Sequence, residues 1–218
     1  MKKSFRRSAK IPTPFDRFTR EYDLWFDTHP LAYQSELEAI RRFIPAAGSG
    51  VEVGVGTGRF AARLGIGIGV EPSEPMAAMA RSAGLKVIRA NGEELPFKNG
   101  SFDFILLANV ICFVFQPLVL LKEASRILRP TGRIILAFID RESELGKKYE
   151  SRKASSRFYK NATFYSPSRV IEFLHKAGFH DFEACQTLFT NPLEMAAPDP
   201  VLDCYGQGSY VVLKELKK

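Results

Sequence analysis

Short apolar runs alternate with amphipathic segments along most of this chain. The runs predict β-strands, because they are brief, rich in β-branched residues and bounded by turn-forming residues. The predicted strands begin near residue 51 and continue at residues 65–70, 86–90, 102–107, 133–139, 182–188 and 209–213. The run at 102–107 is almost continuously apolar, which is typical of a strand at the centre of a parallel sheet.

The segments between the strands carry apolar residues at spacings of three and four, which predicts helices. The predicted helices cover residues 15–26, 31–43, 59–64, 118–128 and 166–177, and another begins at Ser73. Aromatic residues dominate one face of the first of these helices. Strands that alternate with helices in this manner predict right-handed βαβ units and a doubly wound α/β fold.

Several residues of chemical interest lie at the ends of the predicted strands. Gly54, Glu71, Asn91, Ala108 and Asp140 each follow such a strand. In a doubly wound sheet the ligand binds outside the carboxyl ends of the strands, where the strand order reverses. We therefore expect these five positions to converge on one crevice.

A glycine-rich stretch follows the first strand. The sequence Val51-Glu-Val-Gly-Val-Gly-Thr-Gly-Arg-Phe60 predicts a strand, a tight loop and the start of a helix. Its alternate glycines can adopt positive φ and allow a ligand to approach the backbone closely. The spacing also fits the loose dinucleotide fingerprint, and glycine-rich turns occur in proteins that bind no nucleotide. The loop alone therefore leaves the ligand open.

Residues at the ends of the next two predicted strands narrow the choice of ligand. Glu71 lies 17 residues beyond Gly54, where a carboxylate can accept hydrogen bonds from both ribose hydroxyls of an adenosine. Asn91 and Gly92 offer an amide side chain and an unhindered N–H of the kind that recognise adenine, and Glu93 adds a carboxylate beside them. A solvated acid and a simple Asn-Gly turn are the alternatives.

Composition indicates one globular domain. The 218 residues are 45% hydrophobic and 25% charged, enough for an α/β domain with a substantial core. No apolar run approaches the roughly 20 residues that cross a bilayer, and the amino terminus lacks a hydrophobic signal segment, so we expect a cytoplasmic protein without a membrane partner. The three cysteines show no metal-ligand spacing, and no metal is expected. Cys112 lies in an apolar run and is interpreted as a buried hydrophobic residue rather than a nucleophile.

The net charge of +7 resides at the ends of the chain. Residues 1–10 carry five Lys or Arg and no acid, and residues 211–218 carry three Lys and one Glu, while the intervening residues carry equal numbers of basic and acidic side chains. A short basic tail is more often a solvated end than a nucleic-acid arm. Nucleic acid is therefore not the expected partner.

Five motifs in register resemble the class I S-adenosylmethionine-dependent methyltransferases, and among them the type-11 small-molecule group. The motifs are Glu52-Val-Gly-Val-Gly-Thr-Gly58, Glu71, Asn91-Gly-Glu-Glu-Leu-Pro-Phe97, Gly100-Ser-Phe-Asp103 and Leu121-Lys-Glu-Ala-Ser-Arg-Ile-Leu-Arg-Pro-Thr-Gly132. The resemblance implies S-adenosylmethionine as cofactor and S-adenosylhomocysteine as product. It also implies a three-layer Rossmann-like fold whose seven-stranded, mostly parallel sheet has an antiparallel last strand at residues 209–213.

The resemblance implies a set of cofactor-binding residues. The loop at 54–58 would lie under the methionine part, Glu52 would orient that loop or reach the amino group, and Glu71 would hold the ribose. The full implied set is Glu52, Gly54, Val55, Gly56, Thr57, Gly58, Glu71, Pro72, Met76, Asn91, Gly92, Glu93, Ala108 and Asn109, the last two beside the methyl-transfer centre. Asn91 stands where relatives often have Asp, and we expect altered affinity rather than loss, because an amide can also donate and accept.

Aromatic residues are the candidates on the acceptor side. Tyr22 and Trp25 lie in the amino-terminal helices, and Tyr159 lies in the polar segment 141–165. Aromatic faces accommodate a cationic sulfonium or a cationic amine, so these helices are expected to form a lid over the site. Packing into the core is the alternative, and an equal one for Phe26. No side chain stands out as a general base, so the catalytic residues stay unassigned.

The expected organisation is a basic flexible tail at residues 1–14 and a single domain at residues 15–218. Its parts are the amino-terminal helices and lid (15–45), the cofactor-binding core (46–140), a substrate-side insertion (141–165), and a carboxy-terminal helix with closing strands (166–218). The insertion interleaves basic and aromatic residues, which suits an anionic acceptor, an RNA-facing patch or a solvated, mobile insertion. Methylation of a small molecule is the leading hypothesis. The alternatives are an RNA or protein methyltransferase and a non-catalytic S-adenosylmethionine-binding protein.

Overall fold

A computed structural model describes residues 12–217 as alternating helices and strands. The helices are α1 (Pro14–Arg17), α2 (Thr19–Thr28), α3 (Pro30–Arg41), α4 (Arg59–Leu64), α5 (Glu74–Ser82), α6 (Pro117–Ile127), α7 (Glu144–Arg152) and α8 (Pro167–Lys176). The strands are β1 (Gly50–Val53), β2 (Ile68–Val70), β3 (Lys86–Ile88), β4 (Phe102–Ala108), β5 (Leu128–Ile139), β6 (Phe179–Thr187), β7 (Leu202–Asp203) and β8 (Tyr210–Lys217). A single 3₁₀ turn, Lys153–Ser155, follows α7.

The strands form one sheet in the order β3-β2-β1-β4-β5-β8-β6-β7. The first five are parallel, and β8 runs antiparallel to both β5 and β6. The predicted doubly wound α/β fold with an antiparallel last strand is therefore confirmed. The sheet has eight strands rather than seven, because Leu202–Asp203 pairs with Cys185 and Gln186 at the edge. A strand of two residues has no periodicity that a sequence could reveal.

Helices cover both faces of the sheet and make a three-layer core. Phe104 and Leu106 of β4 pack on one face, in a cluster with residues of α2, α3, α4 and α5. Ile105 and Leu107 point to the other face and pack with α6 and α8. This alternation follows from the two-residue period of a strand. Among the described residues, no helix combines the length and the apolar character that crossing a membrane requires.

The amino-terminal helices begin earlier and break sooner than the aromatic pattern predicts. Residues 1–11, most of the predicted basic tail, lie outside the described residues. Helix α1 starts inside the predicted tail, where Thr13 accepts a hydrogen bond from the Asp16 N–H at 3.3 Å and Pro14 takes the first helical position. The single helix predicted over 15–26 is interrupted at Phe18, whose φ of −127° and ψ of 34° are not helical. Phe26 is buried in the core, as the packing alternative predicted.

Strand β5 also begins earlier than its prediction at residue 133. Its pairing with β4 shifts between Leu128, opposite Phe102, and Arg133, opposite Phe104. Pro130 and Gly132 therefore lie within an irregular stretch of the strand, where a missing N–H is tolerated. The sequence predicts only that these two residues close the preceding helix, which is also true, since α6 ends at Ile127.

Candidate functional site

A cavity of about 440 Å³ lies at the carboxyl ends of the parallel strands, where β1 and β4 are neighbours and the strand order reverses. We call it the glycine-loop cavity. Its lining includes ten of the residues implied as cofactor-binding, namely Gly54, Gly56, Glu71, Pro72, Met76, Asn91, Gly92, Glu93, Ala108 and Asn109. Four of the five predicted strand-end positions therefore meet in one crevice. Asp140, the fifth, does not line this cavity, because its carboxylate turns back to accept the Glu142 N–H at 2.8 Å.

The glycine loop has the backbone conformation that its sequence predicts. Gly54, Gly56 and Gly58 all adopt positive φ, at 75°, 54° and 88°. A Cβ at Gly54 would lie 2.3 Å from the Val110 side chain, and one at Gly58 would lie 2.7 Å from Leu85. Both glycines therefore serve protein packing as well as backbone conformation.

Gly56 differs from the two glycines that flank it. The nearest protein atom to a Cβ at this position would be a Tyr22 ring carbon, 3.9 Å away. The protein itself therefore leaves open the space in front of Gly56, which borders the cavity. A glycine that faces an open cavity suits close approach of a ligand to the backbone.

Glu71 connects the glycine loop to the start of α5. One carboxylate oxygen accepts the Gly56 N–H at 3.0 Å, and the other accepts the Ser73 N–H at 2.8 Å. The residue is buried at the cavity wall. Glu71 therefore brings a carboxylate to the cavity wall and ties the glycine loop to the start of α5.

Glu52 lies beneath the glycine loop rather than in the cavity. It is 1% exposed, and its Oε2 has no hydrogen-bond partner among the described residues. Burial raises the pKa of Glu52 well above its ordinary value, with the Ala61 backbone N–H opposing this rise and the nearby Glu71 adding to it. Of the two roles implied for Glu52, this position favours orientation of the loop.

Three other residues implied as cofactor-binding belong to the glycine loop but do not line the cavity, namely Val55, Thr57 and Gly58. Val55 is packed in the core, where a Cβ at Gly69 would come within 2.6 Å of it. Thr57 is buried and contributes a hydrogen bond that lowers the pKa of Asp23. The sequence motif includes these three residues, but within the loop only Gly54 and Gly56 line the cavity.

The loop at 91–97 is held in place by the motif on α6. Glu123 accepts the Leu95 N–H at 2.9 Å, and Arg126 donates to the carbonyl oxygens of Leu95 and Phe97 at 2.9 and 2.8 Å. A Cβ at Gly92 would lie 2.5 Å from Leu120, so this turn also packs tightly on the helix. The role of the distant motif on α6 is thus to fix the loop that carries Asn91 and Glu93.

Asn109 closes the floor of the glycine-loop cavity after β4. Its φ of 58° is left-handed, a conformation that asparagine tolerates better than most residues. Its N–H donates to the Ala137 carbonyl at 2.9 Å, so the neighbouring strand holds the turn. Backbone strain of this kind clusters at functional sites.

Several residues of the glycine-loop cavity lie outside the sequence-predicted set. They come from the segment around α1 (Thr13, Pro14, Phe15, Asp16), from the loop after β4 (Val110, Phe113, Val114, Phe115), from the insertion (Arg157, Phe158, Lys160, Asn161), and from Val53 and Ser73. Most of them lie in irregular segments far from the motifs in sequence. The aromatic residues of the insertion were the one available signal.

A second cavity, of about 250 Å³, adjoins the first. Its lining includes Glu36 of α3, and we call it the Glu36 cavity. Tyr22, Asn109, Phe113 and Phe158 line both cavities. The three candidate acceptor residues Tyr22, Trp25 and Tyr159 all line this second cavity, which the sequence did not predict as a separate space.

Stacked aromatic rings form one wall of the Glu36 cavity. Tyr159 stacks on Phe113 at a centroid distance of 5.8 Å and on Tyr149 at 5.0 Å. Burial raises the pKa of Tyr149 to about 12 and that of Tyr159 well above its ordinary value. Their hydroxyls therefore stay protonated at neutral pH and act as neutral hydrogen-bonding groups.

Glu36 is the carboxylate of this cavity. Its side chain is 3% exposed, and its Oε2 has no hydrogen-bond partner among the described residues. Burial raises its pKa to about 8. Its charge also raises the pKa of Tyr22 and of Tyr149, which places the carboxylate in electrostatic contact with the cavity wall.

Two sets of polar contacts hold the amino-terminal helices over the site. Arg59, at the start of α4, donates to both carboxylate oxygens of Asp23 at 2.8 and 2.5 Å and to Asp27 at 2.8 and 2.9 Å. Arg157 of the insertion lies over the Phe18 ring at 4.2 Å and reaches Glu21 at 3.7 Å. The predicted lid is therefore tied both to the helix after the glycine loop and to the insertion.

Other reactive side chains make no site of their own among residues 12–217. Burial raises the pKa of Cys112 to about 12, so its thiol stays protonated. None of the three histidines lines either cavity, and His29 stacks on Trp25 at 5.0 Å. No cluster of three or more His, Cys, Asp or Glu with metal-binding geometry occurs in this described part.

Known proteins match this chain in sequence along nearly its whole length. The Methyltransf_11 family model, a methyltransferase domain, matches residues 51–136. An uncharacterized protein of Methanocaldococcus jannaschii is 46% identical over 203 residues, which make up 93% of this chain and 98% of that protein.

Solved structures share the fold. A Thermotoga maritima protein, described as a SAM-dependent methyltransferase and possible histamine N-methyltransferase, is 50% identical, with a TM-score of 0.92 over 94% of this chain and 99% of its own. A Haemonchus contortus phosphoethanolamine N-methyltransferase, in complex with phosphomonomethylethanolamine and S-adenosylhomocysteine, has a TM-score of 0.63 at 18% identity, over 96% of this chain and 61% of its own. At that identity the second similarity concerns the fold alone.

Proposed function

Because this chain belongs to the S-adenosylmethionine-dependent methyltransferases, we propose that it methylates a small-molecule acceptor bound in the Glu36 cavity. The observation that carries this proposal is the wall common to the two cavities, where Tyr22, Asn109, Phe113 and Phe158 line both. A cofactor in one cavity and an acceptor in the other would meet where the cavities adjoin, beside Tyr22 and Asn109. The description of the Thermotoga maritima relative is compatible with an acceptor of this size.

The glycine-loop cavity suits the cofactor. The backbone at Gly56 faces open space, and the Glu71 carboxylate lines the cavity as an acceptor suited to ribose hydroxyls. Asn91 and Gly92 border the cavity on a loop that Glu123 and Arg126 hold rigidly. We assign the methionine part to the glycine loop, the ribose to Glu71 and the adenine to the loop at 91–97.

Positioning is the main contribution that the chain makes to the reaction. When bound, S-adenosylmethionine would supply an electrophilic methyl carbon on its sulfonium sulfur, open to in-line attack by a nucleophilic atom of the acceptor, with S-adenosylhomocysteine as the leaving group. The chain holds the two molecules in adjoining cavities and surrounds their junction with the rings of Tyr22, Phe113 and Phe158, which exclude water. Orientation and exclusion of water can together account for a large part of a methyl-transfer rate.

The burial of the aromatic residues in the insertion favours a small acceptor over RNA or protein. Tyr149, Phe158 and Tyr159 are partly buried and line the Glu36 cavity, so they do not form an open stacking platform for bases. A cavity of about 250 Å³ holds a molecule of metabolite size. Of the basic residues of this segment, Arg141, Lys147 and Arg152 are exposed to solvent, whereas Arg157 and Lys160 border the glycine-loop cavity.

Calorimetry and a transfer assay test the proposal. S-adenosylmethionine and S-adenosylhomocysteine should bind, and NADH should not. Labelled methyl should then pass from the cofactor to a member of a metabolite panel and not to an RNA or protein pool assayed in parallel. Cofactor binding without transfer to any metabolite would contradict the proposed function.

A further inference from the structure

We propose that the acceptor carries an ammonium group and that Glu36 binds it as the counter-charge. The proposal rests on the proposed function, since it identifies the chemical class of the molecule that occupies the Glu36 cavity. Three properties of the cavity support it: an unpaired buried carboxylate, an aromatic lining and the absence of cationic side chains.

The carboxylate of Glu36 is buried in an environment that a bound cation would stabilise. Buried carboxylates in proteins are almost always paired or hydrogen-bonded, because an isolated buried charge is strongly unfavourable. Glu36 lines the cavity, yet its Oε2 has no partner within residues 12–217. Its pKa, raised by burial to about 8, reports the same unfavourable environment for the charge. A cation in the cavity would supply the missing interaction.

The remaining residues that line the Glu36 cavity favour a positively charged ligand. Tyr22, Trp25, Tyr149, Phe158 and Tyr159 surround the cavity with aromatic rings, although Tyr159 already stacks on Phe113 and Tyr149, and Trp25 on His29. Ring faces that remain open attract ammonium groups. No lysine, arginine or histidine occurs among the lining residues in the described part of the chain. An anionic acceptor would find no countercharge there, whereas an ammonium would meet a carboxylate and an aromatic lining.

A second acid borders this cavity but is already engaged. Glu21 lies in an ion pair with Arg157 at 3.7 Å, and both side chains are about half exposed. Solvent therefore screens this pair, in contrast to Glu36. Glu36 is the acid that a ligand within the cavity would depend on.

The chain offers a matched control for Glu36. Glu215 on β8 is also fully buried, and both of its carboxylate oxygens lack partners among the described residues. It alternates with Lys214 along the strand and shares a sheet face with Val211 and Leu213, which pack with α6 and α8. Replacing Glu215 by Gln therefore removes the same kind of buried acid at a place remote from the Glu36 cavity.

Calorimetry in the presence of saturating S-adenosylhomocysteine tests the proposal. The probes are histamine, tyramine and 2-phenylethylamine, each compared with the alcohol and the carboxylic acid of the same skeleton. We expect amines to bind and their alcohols and acids to bind at least tenfold more weakly. Glu36→Gln should weaken amine binding by tenfold or more, with the affinity for S-adenosylhomocysteine unchanged, and Glu215→Gln should leave both affinities unchanged.

A proton-release measurement on the unmodified protein gives a second readout that does not depend on the folding of a variant. An ammonium that pairs with Glu36 at pH 7 should displace its proton, so calorimetry in buffers of different ionisation enthalpy should show about one proton released per amine bound. The tyrosines of the cavity, with raised pKa values, do not titrate in this range.

The outcomes separate the two proposals. Equal or tighter binding of the alcohols or acids, unchanged amine affinity in Glu36→Gln, or binding of no amine at all would overturn the ammonium proposal. Methyl transfer to an uncharged or anionic metabolite would also overturn it while leaving the proposed function intact. Failure of S-adenosylhomocysteine itself to bind would instead contradict the proposed function.

Discussion

The Gly56 N–H donates to the Glu71 carboxylate at 3.0 Å, which joins the glycine loop to the residue that ends the next strand. A change at Glu71 therefore acts on the loop as well as on any bound ribose. We expect Glu71→Ala to weaken S-adenosylmethionine and S-adenosylhomocysteine by about tenfold to a hundredfold, because hydrogen bonds to a charged acceptor are lost in a buried place. Calorimetry measures both affinities.

Glu74→Ala is the matched control for Glu71→Ala. Glu74 lies three residues later, is exposed and pairs with Arg81 at 2.8 Å and Arg89 at 3.1 Å, away from the cavity lining. Its replacement should leave cofactor affinity unchanged. Equal affinities for Glu71→Ala and the unmodified protein would remove Glu71 from the site.

Gly56→Ala should impair cofactor binding more than it impairs folding. At a φ of 54° an alanine costs about 1–2 kcal/mol of backbone strain, and its Cβ would enter the space in front of the loop. Gly65→Ala carries a similar strain, at a φ of 73°, but lies at the end of α4 with no atom within 4 Å of the added Cβ. Urea unfolding should show similar losses for the two variants, and only Gly56→Ala should lose affinity for S-adenosylhomocysteine. Equal cofactor affinities would show that no ligand approaches Gly56.

Asp23→Asn should destabilise the protein by about 1–3 kcal/mol, because it breaks the paired hydrogen bonds to Arg59 that join α2 to α4. Burial acts to raise the pKa of Asp23, but hydrogen bonds from Arg59 and Thr57 lower it overall. The contribution of Asp23 is therefore present above its ordinary pKa of 3.8 and is lost as the pH falls below it. Urea unfolding from pH 7 to pH 3 measures both effects, and the difference between variant and unmodified protein should shrink in acid. A constant difference would show that the pairing is not what stabilises this contact.

Glu215→Gln should remove part of the pH dependence of stability. Burial raises the pKa of Glu215 from 4.5 to about 7, so the folded state favours the protonated acid. Stability from this group is complete below pH 4.5, falls as the pH rises toward 7 and stays low above it, a change on the order of 2 kcal/mol. The variant should lack the pH-dependent stability that Glu215 contributes, while Glu36 and Glu52 continue to make the stability depend on pH. Parallel stability profiles from pH 5 to pH 8 would contradict the assignment.

Ten of the residues predicted as cofactor-binding line the glycine-loop cavity, because their placement depends on local chemistry. Glycines permit the positive φ that this strand-to-helix turn adopts, and Glu71 directly follows the end of a strand. Strand ends meet at one edge whatever packs around them. Asp140 was the exception, because a polar turn after β5 redirects its carboxylate to Glu142.

The Glu36 cavity depends instead on packing between segments far apart in sequence. Glu36 was not predicted as a site residue. It lies four residues before Ile40 on the same face of α3, so an acid within an apolar stripe is the signal that could have identified it. The two cavities become separate only because the rings of Tyr22 and Phe158 approach to 5.8 Å, across more than a hundred residues of chain. The break of the first helix at Phe18 is equally non-local, since its ring lies against Arg157 of the insertion.

Different parts of the fold line the two cavities, so substitutions can change one cavity and leave the other unchanged. Glycine loop, Glu71 and the loop at 91–97 belong to the parallel half of the sheet, whereas Trp25, Glu36 and Tyr149 belong to α2, α3 and α7. Substitutions in these three helices can alter the shape and charge of the Glu36 cavity without changing the loops of the glycine-loop cavity. Under the proposed function, new acceptor preferences can therefore arise in descendants of this chain through changes in its helices, while the glycine-loop cavity is inherited intact.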